Sequence, residues 1–227
     1  RSPYRHKGMT LQKLGQLEDA ISCFDGILKQ ESSHITSLHH KGQSLMSLGQ
    51  YENALSCFDM IAEKDSDNDI LFEKGTLHSV LGQHEKSISC FDKMLKDDSN
   101  NSLALKNKAI SLENLGMHAE SLGCLSKALQ TEPNDSTLLL QKAKTLQLIA
   151  RHAEAIQVFE QILSSNSENI EAMFHKAKSL AHLGKISDSI KTLEIVIGLD
   201  PVYKQIAKID HAFAKFATNP TFRSITS

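Results

Sequence analysis

The sequence predicts an all-α chain of six helix–turn–helix repeats followed by a C-terminal capping helix. Three observations carry that prediction. A set of small and large residues recurs about every 34 residues, glycine marks the turn in nearly every copy, and no segment sustains a two-residue alternation that would make a strand. The turn glycines are Gly15, Gly49, Gly82, Gly116 and Gly184, with Ala150 in the remaining slot. Seven residues before each turn lies Gly8, Gly42, Gly75, Ala109, Ala143 or Ala177. Five residues after each turn lies Ala20, Ala54, Ser87, Ser121, Ala155 or Ser189, and four later comes Phe24, Phe58, Phe91, Leu125, Phe159 or Leu193.

The second copy shows the physics of these slots. Leu38, Gly42 and Leu45 share one face of its first helix, and Leu55, Phe58 and Ala62 share one face of its second. A bare residue at Gly42 facing Ala54 is expected to let two antiparallel helices approach closely, with Phe58 filling the groove toward the neighbouring pair. Gly49 is expected to close the first helix in the left-handed conformation. Ala150 in the same role costs about 1 kcal/mol. In the third copy His78 replaces a packing leucine and marks a locally weak repeat.

Polar links separate the copies: Lys64–Asn68, Asp97–Asn101, Glu132–Asp135 and Ser165–Asn169, all rich in turn and N-cap residues. No long Gly- or Pro-rich linker interrupts them, which predicts one continuous stack. The expected repeats are 1–34, 35–67, 68–101, 102–135, 136–169 and 170–203, with a capping helix and tail over 204–227. Within that ending, Tyr203 to Ala217 is amphipathic, with Ile206, Ile209, Phe213 and Phe216 on one side. Asn219 reads as an N-cap, and Pro220 as the first residue of a short final turn carrying Phe222 and Ile225. Terminal repeats need a cap with one polar face.

Bulk composition narrows the function. Twenty-five basic and 27 acidic residues give a net charge of −2 and no general attraction to nucleic acid or an anionic membrane, and 40% hydrophobic content suits a folded chain. No apolar run is long enough to cross a bilayer. The start shows no signal-peptide pattern, although the chain opens at Arg1 rather than Met. Cys23, Cys57, Cys90 and Cys124 occupy one slot in four successive copies, too far apart to pair or to share a zinc ion. They read as small buried hydrophobes in a reducing, cytoplasmic setting.

The period and slots together resemble the tetratricopeptide repeat (TPR) family over residues 1–203. The Lys-Gly openings and the Ser-Cys-Phe-Asp segments at 22–25, 56–59 and 89–92 are similar to repeats of its archaeal and bacterial members. The usual inter-repeat proline survives only as Pro133 and Pro201, and Leu38, Leu71, Leu105 and Leu139 stand where a bulky aromatic is usual. The resemblance implies a right-handed α-α superhelix, a TPR solenoid, closed by a segment in which Asp210, Phe213, Pro220 and Phe222 match. The stack is therefore expected to end at this C-terminus.

The resemblance also implies that first-helix residues pointing away from the second helix line a concave groove. By spacing these are Arg5, Met9 and Gln12, then His39, Gln43 and Met46, then Phe72 and Thr76. Lys106 and Ile110, Leu140 and Lys144, and Phe174 and Lys178 continue the row. Exposed Met, Phe, Leu and Ile beside basic side chains suit a partner peptide or helix with apolar and acidic residues. The resemblance further implies a carboxylate clamp for chaperone tails in some members, but no three consecutive copies supply its basic and amide set. Asp69, Glu73 and Glu171 would oppose a carboxylate.

Other residue patterns have plainer roles. A lysine precedes the small residue in every copy, at Lys7, Lys41, Lys74, Lys108, Lys142 and Lys176. The reading preferred over a phosphate-binding ladder is that aliphatic stems cover the helix interface while the amines reach water. His84, His118 and His152 share one slot at a spacing too wide for one metal, and no nucleophile–base pair or phosphate loop stands out. The expected function is a non-catalytic protein-interaction scaffold with a protein or peptide partner, no nucleic acid, no membrane and no cofactor. Self-association through the open face of the first repeat is a further expectation. A helical-repeat RNA binder and the regulatory part of a longer enzyme are the alternatives.

Overall fold

The computed structural model describes residues 3–62 and 67–227. Arg1, and Lys64, Asp65 and Ser66 of the first expected link, lie outside the described residues. The chain is all-α: the described residues form helices and turns and contain no strand. They fall into two compact units, residues 1–115 and 116–227. The division lies at the Leu115–Gly116 turn inside the fourth expected copy rather than at a polar link.

The first unit contains α1 (Pro3–Lys13), α2 (Leu17–Leu28), α3 (Ile35–Ser47), α4 (Tyr51–Ala62), α5 (Asn68–Val80), α6 (His84–Asp97) and α7 (Ser102–Asn114). Each helix packs on the next along the chain. The second unit contains α8 (His118–Thr131), α9 (Ser136–Leu148), α10 (His152–Ser165), α11 (Ile170–His182) and α12 (Ile186–Leu199), again packed in sequence. It ends in α13 (Tyr203–Ile209), a 3-10 helix (His211–Phe216) and α14 (Pro220–Thr226).

The repeated slots form the core. Ala20, Ala54, Ser87, Ser121, Ala155 and Ser189 are all 0% exposed, as are Phe24, Phe58, Phe91, Leu125, Phe159 and Leu193. The nearest neighbour of each slot glycine, Gly8, Gly42 and Gly75, is the ring of its own repeat. A methyl group at Gly42 would come within 2.7 Å of the Phe58 ring, and one at Gly75 within 2.7 Å of Phe91. The glycine therefore seats the aromatic ring of its own repeat, and in the sixth copy the two small-residue slots touch, with Ser189 donating to the Ala177 carbonyl at 2.8 Å. Ala143 and Phe159, both fully buried, show that a methyl can occupy the slot where the surrounding helices allow room.

The links cap the helices as their composition suggests. Asp67, Asn101, Asp135 and Asn169 each accept a hydrogen bond from the backbone N–H three residues on, at 2.8 to 2.9 Å. Asn219 does the same for Phe222 at 3.1 Å, ahead of Pro220 at the start of α14. In the third copy, the Nδ1 of buried His78 lies 2.9 Å from the Oε1 of Gln83, and burial holds the imidazole below its ordinary pKa. The substituted slot is therefore filled by a neutral, hydrogen-bonded ring.

The amphipathic stretch from Tyr203 is not one helix. It breaks at Asp210, which accepts from the Ala212 N–H at 2.9 Å and starts the 3-10 turn. That break leaves Ile209 78% exposed instead of on the buried side. Beyond it, Phe213, Phe216 and Phe222 form an aromatic cluster with ring centroids 5.7 to 6.3 Å apart.

The turn glycines hold φ between 72° and 75°, and Ala150 holds φ at 59° in the same role. Its N–H reaches the Gln147 carbonyl at 3.0 Å, and the Arg151 N–H reaches that of Leu146 at 2.9 Å, so the turn is built as its glycine counterparts are. Replacing Ala150→Gly should therefore stabilise the second unit by about 1 kcal/mol. Thermal denaturation should show this as a rise of a few degrees in melting temperature.

Candidate functional site

In the first unit, the residues expected on the groove face come from α1, α3, α5 and α7. Arg5, Met9, Gln12, His39, Gln43, Met46, Phe72, Thr76 and Lys106 are all partly exposed, and Ile110 is 36% exposed. Several also tie neighbouring first helices together. Gln12 on α1 donates to the His40 carbonyl at 3.3 Å while its Oε1 meets His40 Nδ1 at 3.1 Å. Gln43 on α3 donates to Glu73 on α5 at 3.2 Å. Phe72 leans on Phe91 with centroids 6.2 Å apart, and the enclosed Thr76 Oγ1 has no hydrogen-bond partner among the described residues.

The second unit treats its share of the row differently. Phe174 is only 6% exposed. Its ring lies 4.9 Å from Tyr203 and 5.8 Å from Phe213, because the C-terminal segment folds back over α11. The expectation of an exposed anchor at Phe174 is corrected: it is core, held under the cap. Lys178 is also engaged, its Nζ 2.8 Å from Asp210 and 5.9 Å from the Phe174 ring centre. Burial alone would raise the Asp210 carboxyl. The Lys178 ammonium and the Ala212 N–H outweigh it and hold the group below the usual carboxylate range. Leu140 packs partly buried beside the α9–α10 core, and Lys144 pairs with Glu171.

Two devices that tie one copy to the next did not emerge from the sequence. The first is a glutamine–histidine clamp. At positions equivalent to Gln12 and His40, Gln147 Nε2 donates to the His175 carbonyl at 2.8 Å, and its Oε1 lies 2.9 Å from His175 Nδ1. Each histidine stacks on the buried phenylalanine of the preceding copy, with Phe24–His40 centroids at 5.6 Å and Phe159–His175 at 6.0 Å. The signal was a Gln three residues before the turn residue with a His 28 residues on, present in two copies. The second is an ion-pair ladder. Lys41 meets Asp25, Lys74 meets Asp59 and Lys108 meets Asp92, each at 2.6 Å, and Lys176 meets Glu160 at 2.9 Å. These amines do not simply reach water; each finds the acid that follows the buried Phe of the preceding copy.

The other candidate chemistry is quiet. Cys23, Cys57, Cys90 and Cys124 are thiols outside any disulfide, and burial pushes Cys57 and Cys90 up, away from the reactive thiolate. Among the described residues no three His, Cys, Asp or Glu gather to hold a metal ion, and no helix is long and apolar enough to cross a membrane.

Antiparallel helices joined through small-residue contacts, with first helices offering a row of side chains, define the helical-repeat class of binding proteins. The family described as "Psidin, N-terminal TPR repeats region" matches residues 80–193, half of the chain, and that described as "Tetratricopeptide repeat" matches residues 35–59. The chain belongs to the tetratricopeptide repeat proteins. Comparison with curated proteins gives no match. Among solved structures, the C-terminal part of a TPR repeat-containing protein from Cytophaga hutchinsonii superposes with a TM-score of 0.80 at 13% identity, over 97% of this chain and 92% of that one. A MamA fragment from Desulfovibrio magneticus gives 0.69 at 18% identity, over 74% and 96%. YrrB, described as "a TPR protein with an unusual peptide-binding site", gives 0.65 at 18%, over 78% and 92%. At these identities the likeness establishes the fold alone.

Two outcomes follow from this packing. Phe174→Ala should cost about 3 kcal/mol or more in urea denaturation, whereas Phe72→Ala, at a partly exposed position, should cost clearly less. Burial, aided by Lys144 and Lys178, pushes His175 down to about 4. An unfolded histidine titrates near about 6.5, so the unfolded state takes up the proton first as pH falls. The neutral His175 therefore contributes fully above about pH 6.5, and up to about 3 kcal/mol is lost by about pH 4. Chemical denaturation across that range should show a steeper loss in the native sequence than in His175→Gln.

Proposed function

We propose that the chain is a non-catalytic scaffold whose first-helix face in residues 1–115 holds an extended peptide or a helix of a partner protein. TPR proteins commonly bind proteins or peptides, and that much follows from the family. The observation that supports this surface in particular is the partly exposed Met46, Phe72 and Ile110 on α3, α5 and α7, accompanied by the basic Arg5 and Lys106. Apolar anchors flanked by cations suit a segment carrying both apolar and acidic residues. Met9, Gln12, His39, Gln43 and Thr76 complete the proposed contact surface. In the second unit, Leu140 and Lys144 form a separate proposed contact surface, and the buried Phe174 and the paired Lys178 act through the fold. The division into six repeats over 1–203 and a closing segment over 204–227 belongs to the same proposal.

Selection from a displayed library of random peptides tests this reading. Peptides recovered on the native chain should be rich in apolar and acidic residues. They should bind the double variant Phe72→Ala, Ile110→Ala at least about tenfold more weakly, with the helical circular-dichroism signal retained. Equal affinity for the two proteins would remove this face from consideration.

A further inference from the structure

The ladder of lysines and acids has one missing rung, and a cleft opens there. The junction of α2, α3 and α4 forms a cleft of about 560 Å³ whose lining includes the bonded pair Lys41 and Asp25. The equivalent junction of α8, α9 and α10 forms a cleft of about 240 Å³. Here Lys142 stands in the lysine slot, but the acid slot holds Ser126. Asp25, Asp59, Asp92 and Glu160 fill that slot at the four paired junctions. Among the described residues Lys142 makes no ion pair within bonding distance.

The surroundings do not replace the missing carboxylate. Glu154 is the acid that senses the charge of Lys142, and both of its oxygens are already taken by Arg151, at 2.5 and 2.6 Å. Lys142, Arg151 and Glu154 leave the cleft with one net positive charge, where the Lys41–Asp25 cleft is balanced. Leu122, Leu146 and Val158 supply aliphatic walls. A volume of 240 Å³ lies below the range of about 300 to 1,000 Å³ usual for small-molecule pockets, which suits a single side chain better than a free metabolite.

We propose that this cleft receives a glutamate side chain of a partner protein, with Lys142 as its ion-pairing residue and the aliphatic walls receiving the apolar residues beside that glutamate. The incoming carboxylate takes the place that an internal acid holds at the other junctions. The site is built on α8, α9 and α10, apart from the first-helix face of residues 1–115, so it stands or falls independently of the function proposed above.

The variant that closes the site is Ser126→Asp, which restores the acid slot from within the chain; Lys142→Gln removes the cation instead. The probe is the capped tripeptide acetyl-Leu-Glu-Leu-amide, with acetyl-Leu-Gln-Leu-amide as its neutral counterpart, titrated while backbone amide NMR signals are followed. The native chain should shift amides of α8–α10 at millimolar peptide. Ser126→Asp and Lys142→Gln should each weaken the response at least tenfold, and the glutamine peptide should produce no response. Spectra unchanged outside α8–α10 establish that each variant is folded, and either folded variant suffices. Equal shifts with the glutamine peptide, binding retained in the folded variants, or no shift in α8–α10 of the native chain would each overturn the proposal.

Discussion

The contact on which the structure depends is an aromatic ring laid on bare backbone. Phe24, Phe58 and Phe91 press against Gly8, Gly42 and Gly75 so closely that an added methyl would fall 2.7 to 2.8 Å from the ring. Each ring is fully buried, which contributes roughly 1.5 to 3 kcal/mol per side chain. The greater consequence is geometric. The distance between the two helices of a repeat is set by a ring thickness and a backbone, with no flexible side chain between. Interiors packed this densely do not deform gradually. Every later feature inherits its position from that spacing, including which first-helix residues reach solvent.

A second layer of contacts joins one copy to the next and is polar. The ladder lysines keep 18 to 25% of their side chains exposed and their acids 41 to 56%, so each pair contributes at most about 1 kcal/mol. Their more informative property is placement. The same two slots meet at four junctions, and the lysine stems lie along the helices on the way. The Gln–His clamp acts on the first-helix side and also places a ring over the buried Phe of the preceding copy. In His175 that burial is deep enough to displace the titration of the imidazole. Strong apolar contacts thus form each repeat, and weaker oriented polar contacts set how one repeat meets the next.

The repeat core was legible in the sequence because its signal is periodic and local: the same residue sizes return at fixed offsets, and the six turn residues adopt positive φ. The boundary between the two units was not legible, since it falls at a glycine turn like the others. The ending was only partly legible. Amphipathicity marked Tyr203 to Phe216 but could not show that Asp210 would stop the helix to cap a 3-10 turn and bind Lys178. That fold-back is what buries Phe174. Spacing on α11 alone could not show that a non-local segment covers Phe174. The inter-repeat pairs were hidden for a similar reason, because their partners lie 15 to 16 or 28 residues apart and neither residue type is unusual alone.

These contacts also explain why the two units present different surfaces although one pattern built both. A residue facing outward from its repeat is available only if no neighbouring segment meets it. In the second unit the closing segment meets α11, so Phe174 becomes core and Lys178 becomes the counter-charge of a cap. In the first unit α3, α5 and α7 keep Met46, Phe72 and Ile110 partly in solvent. The same reasoning applies to the charged slots. A lysine with an acid across the junction is structural, whereas Lys142 lies by Ser126 and has no such partner among the described residues. What distinguishes one copy from another is therefore its departures from the repeat, at Ser126 and under the cap, more than the repeat itself.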